Sequence, residues 1–205
     1  MGAEHDDVTR PQPTLEDGFV TLRPPRLEDK KARLAYGRHP EFVRLDGDDP
    51  RHSSSLTPDE VDRWYDLFRA DPLRWIVAIE GRCVGFARFK DLQEHDRRAE
   101  YAVGLYDPAT WGCGIGTAAT RLALRHAFET LRLHRVNLRV FTFNTRAIAC
   151  YEKCGFVREG IEREGAWVTD AWQSDLIMSI LEQEYAHLSP GWWASLAARH
   201  DIHCR

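Results

Sequence analysis

The sequence predicts a single α+β domain. We expect a mixed, mostly antiparallel sheet of six to seven strands, about four helices and a helical C-terminal tail. Strand-like runs at hairpin distance come first, a strand–helix–strand–helix step follows, and a last hairpin closes the pattern. That order implies one parallel crossover inside an otherwise antiparallel sheet. A length of 205 residues suits one domain with its own core.

The first part of the chain predicts an arm, a strand and two helices. Residues 1–17 are polar and are expected to form a flexible arm. Phe19–Leu22 alternates in polarity and is followed by two prolines, which is typical of a short strand. Leu27–Arg38 is helical in composition, and residues 46–55 are expected to be a loop. The second helix, Thr57–Ala70, opens on TPDE, the pattern of a capping box with proline in the first turn.

The rest of the chain supplies the other strands and two more helices. The strands are expected at Arg74–Ile79, Cys83–Lys90, Ala99–Tyr106, Val136–Phe141, Phe156–Arg158 and Ala171–Ile180. One helix is expected over Gly116–Leu131 and a shorter one over Asn144–Lys153, closed by Gly155. We therefore expect the domain to occupy residues 18–184 and a helical tail, which contains Trp192 and Trp193, to occupy residues 185–205.

Composition excludes several classes of protein. The net charge is -4 with no basic run, which argues against a dedicated nucleic-acid binder. No apolar stretch approaches the roughly 20 residues of a membrane span, and the polar N-terminus does not resemble a signal peptide. The cysteines are odd in number and form no CxxC pair. We therefore expect free thiols, no metal site and a cytoplasmic protein.

The most informative segment is a glycine-rich turn between a strand and a helix, Trp111-Gly112-Cys113-Gly114-Ile115-Gly116-Thr117. Glycines allow backbone N–H groups to converge on one point, and the helix N-terminus adds partial positive charge, so the segment predicts an anion cradle. No Walker lysine follows Gly116, and the third glycine of GxGxxG is missing. Taken alone, the loop is equally consistent with a glycine-rich helix cap.

A second motif lies one strand–helix step downstream and contains Asn144, Ala147, Tyr151, Lys153, Gly155 and Phe156. With it, the sequence resembles the GNAT superfamily of N-acetyltransferases, and within it the RimJ/RimL-like branch that acetylates ribosomal-protein N-termini. Trp111-x-x-Gly114-x-Gly116 is similar to the family's loop for the CoA pyrophosphate. A later stretch from Trp172 to Met178 resembles the family's closing strand. The resemblance runs from about Gly18 to Glu184.

The resemblance implies a GNAT-type sheet that splays at its centre and binds acetyl-CoA as co-substrate. The pantetheine arm would lie beside Ala102–Tyr106, and a backbone N–H near Leu105 would polarise the thioester carbonyl. The residues expected to bind the cofactor are Leu105, Tyr106, Trp111, Gly112, Cys113, Gly114, Ile115, Gly116, Thr117, Asn144, Ala147, Tyr151 and Lys153. Tyr151 would also donate a proton to the departing thiolate, because a phenol remains protonated at neutral pH.

The base that removes the amine proton is less clearly specified by the sequence. Glu100 is the first candidate, because it lies in the strand beside the expected cofactor site and relatives often carry an acidic residue there. A structural partnership with a basic residue such as Arg88 explains Glu100 equally well. Loss of the proton through a water chain is the third possibility. The acidic residues Asp46, Asp48 and Asp49 lie in a loop that, by the resemblance, the family uses for substrate contact and that could attract a cation; a solvated loop is the expected explanation.

Cysteine chemistry is not expected at this site. Cys113 has no histidine or aspartate partner in the sequence pattern, and Cys150 and Cys154 form an i, i+4 pair without two further metal ligands. The expected activity is acetyl transfer to a primary amine, on a protein N-terminus or a small molecule. The alternatives are an acetyltransferase for a polyamine, amino sugar or aminoglycoside, and a CoA-binding module without catalysis. A homodimer is compatible with the sequence.

Overall fold

The computed structural model describes residues 12–52 and 54–196, and nothing is concluded for the others, which include Cys204 and the end of the predicted tail. In this part the chain forms eight strands and six α-helices. The strands are β1 Leu15–Glu16, β2 Thr21–Arg23, β3 Arg74–Ile79, β4 Arg82–Gln93, β5 Arg98–Leu105, β6 Arg135–Phe141, β7 Val157–Val168 and β8 Ala171–Leu181. The helices are α1 Leu27–Tyr36, α2 Pro40–Asp46, α3 Pro58–Ala70, α4 Ile115–Arg125, α5 Thr145–Glu152 and α6 Glu182–Leu196.

All eight strands belong to one sheet in the order β1-β2-β3-β4-β5-β6-β8-β7. Only β5 and β6 pair in parallel, which confirms the predicted crossover. Their pairing covers three positions, from Arg98 opposite Arg135 to Glu100 opposite Asn137. Beyond Glu100 the two strands diverge, because β5 stays paired with β4 and β6 stays paired with β8. The sheet therefore splays at its centre, as the sequence resemblance implied.

Helix α4 is the centre of the larger core. Its apolar side chains Ile115, Leu122 and Leu124 are fully buried, and they join the main cluster with residues from the sheet, α5 and α6. A second, smaller cluster contains Phe68, Ile76, Cys83 and Tyr106, together with partly buried aromatic side chains of α1, α2 and α3. The sheet thus carries an apolar core on each face.

Helix boundaries follow the expected local signals. Thr57 caps α3 with a capping box that uses Glu60, as predicted, and a proline occupies the first turn. Gly155 follows α5 with φ +84°, where a Cβ would lie 2.5 Å from Leu188 Cδ1. Within the described ranges, no helix combines the length and apolar character needed to cross a membrane.

Four expectations from the sequence differ from the structure. The predicted arm contains β1, whose two residues pair with β2. The helix expected over Leu27–Arg38 ends at Tyr36, and α2 forms between it and the loop. The helix expected to reach Leu131 becomes a π-helical turn at His126–Thr130. Strand β7 has 12 residues instead of the three expected. Its exposed, charged sequence lacks strand periodicity, which is why the sequence predicts only its start. Pairing with β8 stabilises the rest.

Candidate active site

The splay between β5 and β6 opens into a cavity of about 720 Å³. Side chains and backbone from the second half of β5, the glycine-rich turn, the start of α4 and helix α5 line it. The end of α2 and parts of β4, β6 and β8 complete the wall. The cavity therefore joins the two motifs that were singled out from the sequence, although 27 positions separate Thr117 from Asn144.

The glycine-rich turn has the geometry of an anion cradle. Gly112 and Gly114 both have φ +82°, in the left-handed region that favours glycine, and a Cβ at either position would meet no atom within 4 Å. Gly114 is the N-cap of α4 and supplies no side-chain cap. The first helical hydrogen bond runs from Ala118 N to Gly114 O, 3.0 Å. Ile115, Gly116 and Thr117 border the cavity, and their N–H groups precede that first helical bond, so these donors are available to an anion.

Trp111 connects the turn to the end of β5. Its Nε1 donates a hydrogen bond to the Leu105 carbonyl oxygen at 3.0 Å. Both residues line the cavity. Tyr106, the next residue along the chain, points the other way, and its hydroxyl accepts a hydrogen bond from Trp64 Nε1 at 3.0 Å within the smaller core. Because side chains alternate between the faces of a strand, the Tyr106 side chain lies away from the cavity, and its assignment to the cofactor site stays a prediction for its backbone alone.

Helix α5 brings Asn144, Ala147 and Tyr151 to the opposite wall of the cavity. Asn144 is the N-cap, and its Oδ1 accepts a hydrogen bond from Ala147 N at 3.2 Å. Tyr151 is 6% exposed, packs on Phe156 and borders the cavity. Burial, with a smaller effect from Cys150 and Cys154, raises the pKa of Tyr151, so its hydroxyl remains protonated at physiological pH.

Cys150, the residue before Tyr151 on α5, also borders the cavity. Hydrogen bonding with Cys154 and with Thr117, whose Oγ1 lies 3.4 Å from the Cys150 Sγ, lowers the pKa of Cys150 to about 7. Burial raises the pKa of Cys154. Cys113 is not among the residues that line the cavity, and its Sγ lies 3.8 Å from the Ala109 carbonyl oxygen. The Cys113 side chain thus does not border the cavity, and the role of its backbone at the cofactor site stays a prediction.

Glu100 lies at the point where β5 and β6 separate, and it borders the cavity. Its Oε1 lies 2.9 Å from Lys90 Nζ, and the two residues are opposite each other on β4 and β5. The expected structural partner is thus Lys90 instead of Arg88. Arg88 stacks its guanidinium 5.6 Å from the centroid of the Phe86 ring.

Three further carboxylates line the same cavity, those of Asp46, Asp91 and Asp175. Asp46 ends α2, is exposed to solvent and lines the cavity; desolvation by the surrounding protein raises its pKa against the opposing effect of Arg88. Asp175 on β8 is 9% exposed, and its Oδ2 lies 3.1 Å from Arg139 Nη2. Arg139 also forms an ion pair with Glu162.

The sequence predicts a solvated loop at Asp46, with attraction of a cation as the alternative, and no role for Asp175. Helix α2, which brings Asp46 to the cavity, was not recognised, although Pro40 and Gly47 mark its two ends. Lys153 was recognised and lines the cavity. Arg146 was not, although it is adjacent to Ala147 in the second motif. Among the residues described by the structure, no group of three potential metal ligands was found.

Comparison with known proteins places the chain in a family. Residues 20–157 match the model of the acetyltransferase (GNAT) domain. The spermidine N(1)-acetyltransferase of Escherichia coli K12 is 26% identical over 174 residues, covering 84% of this chain and 92% of that protein. The spermidine N(1)-acetyltransferase of Vibrio cholerae is 30% identical over 134 residues, covering 64% and 77%.

A solved structure supports the same assignment. The spermidine N-acetyltransferase from Vibrio cholerae in complex with CoA and spermine superposes with a TM-score of 0.70 at 25% identity, covering 82% of this chain and 98% of that one. These comparisons confirm the superfamily, and they do not specifically support the RimJ/RimL-like branch. The chain belongs to the GNAT acetyltransferase family and is an acyl-CoA-dependent N-acetyltransferase.

Proposed function

We propose that this enzyme transfers an acetyl group from acetyl-CoA to a primary amine of a small, multiply charged cation of the polyamine type. The proposal replaces a protein N-terminus as the favoured acceptor. It is supported by the relatives, which are spermidine acetyltransferases by name, and by the carboxylates of the cavity.

The carboxylates are the observation that carries the choice of acceptor. Asp46, Glu100 and Asp175 come from three separate elements, α2, β5 and β8, and all border one cavity. None belongs to the glycine-rich turn or to α4, which supply the N–H groups suited to phosphate. The cavity thus offers donors for an anion on one wall and carboxylates for a cation on others. A cationic acceptor would bind at Asp46 and would share Glu100 and Asp175 with the basic residues that already pair with them, Lys90 and Arg139.

The chemistry follows from the residues around the thioester position. The neutral amine nitrogen attacks the acetyl carbonyl carbon, so that a C–N bond forms and the C–S bond breaks. Tyr151 donates its hydroxyl proton to the departing sulfur, and the proton that the attacking nitrogen loses as the amide forms restores the tyrosine hydroxyl. Burial raises the pKa of Tyr151 and makes it a weaker acid. The same burial also raises the pKa of the departing thiol, so the pKa values of the donor and the acceptor of the proton shift in the same direction.

The amine must lose a proton before it attacks, and we assign that proton to Asp46. A carboxylate with a raised pKa is a stronger base than an ordinary aspartate, which suits removal of a proton from an ammonium ion. Glu100 is held by Lys90 and serves to attract the cation. Glu100 remains the second candidate for the base.

A panel of acceptors tests the proposal directly. The loss of thioester absorbance is followed with spermidine, spermine, an aminoglycoside and peptides with free N-termini as acceptors. We expect kcat/KM for the polyamines to exceed that for the peptides by about tenfold or more, the ratio that about 1.4 kcal/mol provides. Added salt should reduce the difference, because it screens exposed charges. Faster transfer to the peptides would show that the acceptor is wrong.

Asp46→Asn and Asp66→Asn form a matched pair for this test. Both remove one negative charge, but Asp66 is exposed on α3 and does not line the cavity. We expect Asp46→Asn to lower kcat/KM for polyamines by about 10²-fold and to remove the acidic limb of its pH profile. Asp66→Asn should leave both unchanged, and equal effects of the two substitutions would contradict the role of Asp46.

A further inference from the structure

Trp111 is held on three sides. Its Nε1 is hydrogen-bonded to the Leu105 carbonyl oxygen, and the edge of His39 meets its ring with 6.0 Å between the ring centroids. The guanidinium carbon of Arg146 lies over the same ring, 4.1 Å from its centroid, which is a close cation–π distance. Helix α5 thus places a cation directly on the first residue of the glycine-rich turn.

The charge of Arg146 is available to a ligand. Arg146 is exposed, borders the cavity and forms no ion pair among the residues the structure describes. Two other cations of the same cavity have carboxylate partners, since Lys90 pairs with Glu100 and Arg139 pairs with Asp175. Stacking on an indole leaves the edge of the guanidinium and its N–H donors free for an anion.

The turn itself provides no full positive charge. Its seven residues, from Trp111 to Thr117, include no lysine or arginine. The N–H groups at the start of α4 contribute only the partial charge of a helix N-terminus, about half an elementary charge. A diphosphate carries about two negative charges, so a full cation beside the turn would add substantially to its binding.

We infer that Arg146, positioned by its stacking on Trp111, binds the diphosphate of the CoA substrate. The affinity for CoA then depends on the diphosphate. This inference rests on the proposed function and assigns a binding role to a residue of α5 outside the turn. Trp111 acts as a positioning residue, because it contacts β5 and Arg146 and fixes the guanidinium beside the turn. Lys153 lines the same cavity but has no aromatic ring beneath it in the described contacts, so we assign it no part in this.

The test compares three ligands with and without phosphate groups. Dissociation constants for CoA, 3′-dephospho-CoA and pantetheine are measured by calorimetry or ligand-observed NMR for the wild type, Arg146→Gln and Arg146→Lys. Arg63→Gln, an exposed arginine of α3 outside the cavity, controls for net charge. We expect Arg146→Gln to weaken CoA and dephospho-CoA about tenfold, with pantetheine unchanged. Arg146→Lys should be intermediate, because lysine keeps the charge but loses the planar stack.

Other results would overturn the inference. Equal weakening of all three ligands would mean that Arg146 only supports the fold, and weakening confined to CoA would place its contact on the 3′-phosphate. If the wild type binds CoA and Arg146→Gln binds it equally well, the inference fails while the proposed function stands. If the wild type binds no CoA at all, the proposed function fails first.

The coupling to Trp111 is tested by a double-mutant cycle. Trp111→Leu removes the ring and the hydrogen bond to Leu105, whereas Trp111→Phe keeps a ring and serves if the leucine variant does not fold. We expect the double variant, which combines the Trp111 change with Arg146→Gln, to bind CoA about as weakly as Arg146→Gln alone. The two losses of affinity then do not add. Fully additive losses would show that Trp111 does not position Arg146.

Discussion

Replacement of Tyr151 by phenylalanine tests the chemical step most directly. The change removes one hydroxyl and keeps the ring, which is 6% exposed and packs on Phe156. Among the described residues no hydrogen bond holds that hydroxyl, so its loss leaves no partner unsatisfied. We therefore expect the free energy of unfolding to change by less than about 0.5 kcal/mol.

The expected effect on rate is much larger than the effect on stability. A positioned proton donor contributes about 10²–10⁴ in rate. The lower end applies here, because the hydroxyl has no fixed orientation before the substrates bind. A hundredfold loss in kcat corresponds to about 2.7 kcal/mol of activation free energy. The KM for acetyl-CoA should change little, because the hydroxyl acts on charge that develops as the C–S bond breaks.

Tyr101→Phe provides the matched control. Tyr101 is 1% exposed in β5, and its hydroxyl already donates a hydrogen bond to Thr120 Oγ1 at 3.3 Å. Its removal should cost about 1 kcal/mol of stability and leave kcat within a factor of about two. Both variants are assayed for kcat, for KM of both substrates and for thermal midpoint. An unchanged kcat in Tyr151→Phe would refute the role of Tyr151 as the donor.

Three further predictions concern the cavity wall. Asp46 has a raised pKa, so its charged form is disfavoured in the folded state; Asp46→Asn should raise the free energy of unfolding at pH 7, and denaturant titrations should show the gain vanish below about pH 4. Cys150 should react with iodoacetamide with a midpoint near pH 7, more readily than Cys83 or Cys154, and mass spectrometry should show that CoA protects it. Gly114→Ala should lower the free energy of unfolding by about 1–2 kcal/mol, measured by denaturation, because φ is +82° there.

Local sequence signals predicted much of this fold. The short apolar runs of β3 and β5, the capping box of α3 and the glycine after α5 are all encoded within a few residues, and each is present where it was expected. Strand β7 is different, because its exposed residues carry no periodicity and its length depends on its partner β8. Such a strand becomes visible only when the neighbouring strand is in place.

The sequence predicted some site residues and missed others, because local patterns are visible in a sequence and tertiary contacts are not. Residues of the turn and of α5 were identified because their spacing carries a chemical meaning, and most of them line the cavity. Tyr106 was assigned from its neighbours in sequence, yet its side chain lies on the other face of the sheet. Asp46 and Arg146 gained their positions from tertiary packing, since the first depends on an unrecognised helix and the second on the ring of Trp111.

The brief parallel pairing of β5 and β6 has a consequence for the stability of the protein. Past Glu100, the backbone of β5 that faces β6 has no strand alongside it, so an internal edge opens within a continuous sheet. A ligand with its own amide groups can dock there in the manner of an added strand, and it would bind the folded chain alone. At a hundredfold excess over its dissociation constant, such a ligand adds about 2.7 kcal/mol to the folded state. The supply of acyl donor in the cell would then set how long the enzyme survives, as well as how fast it works.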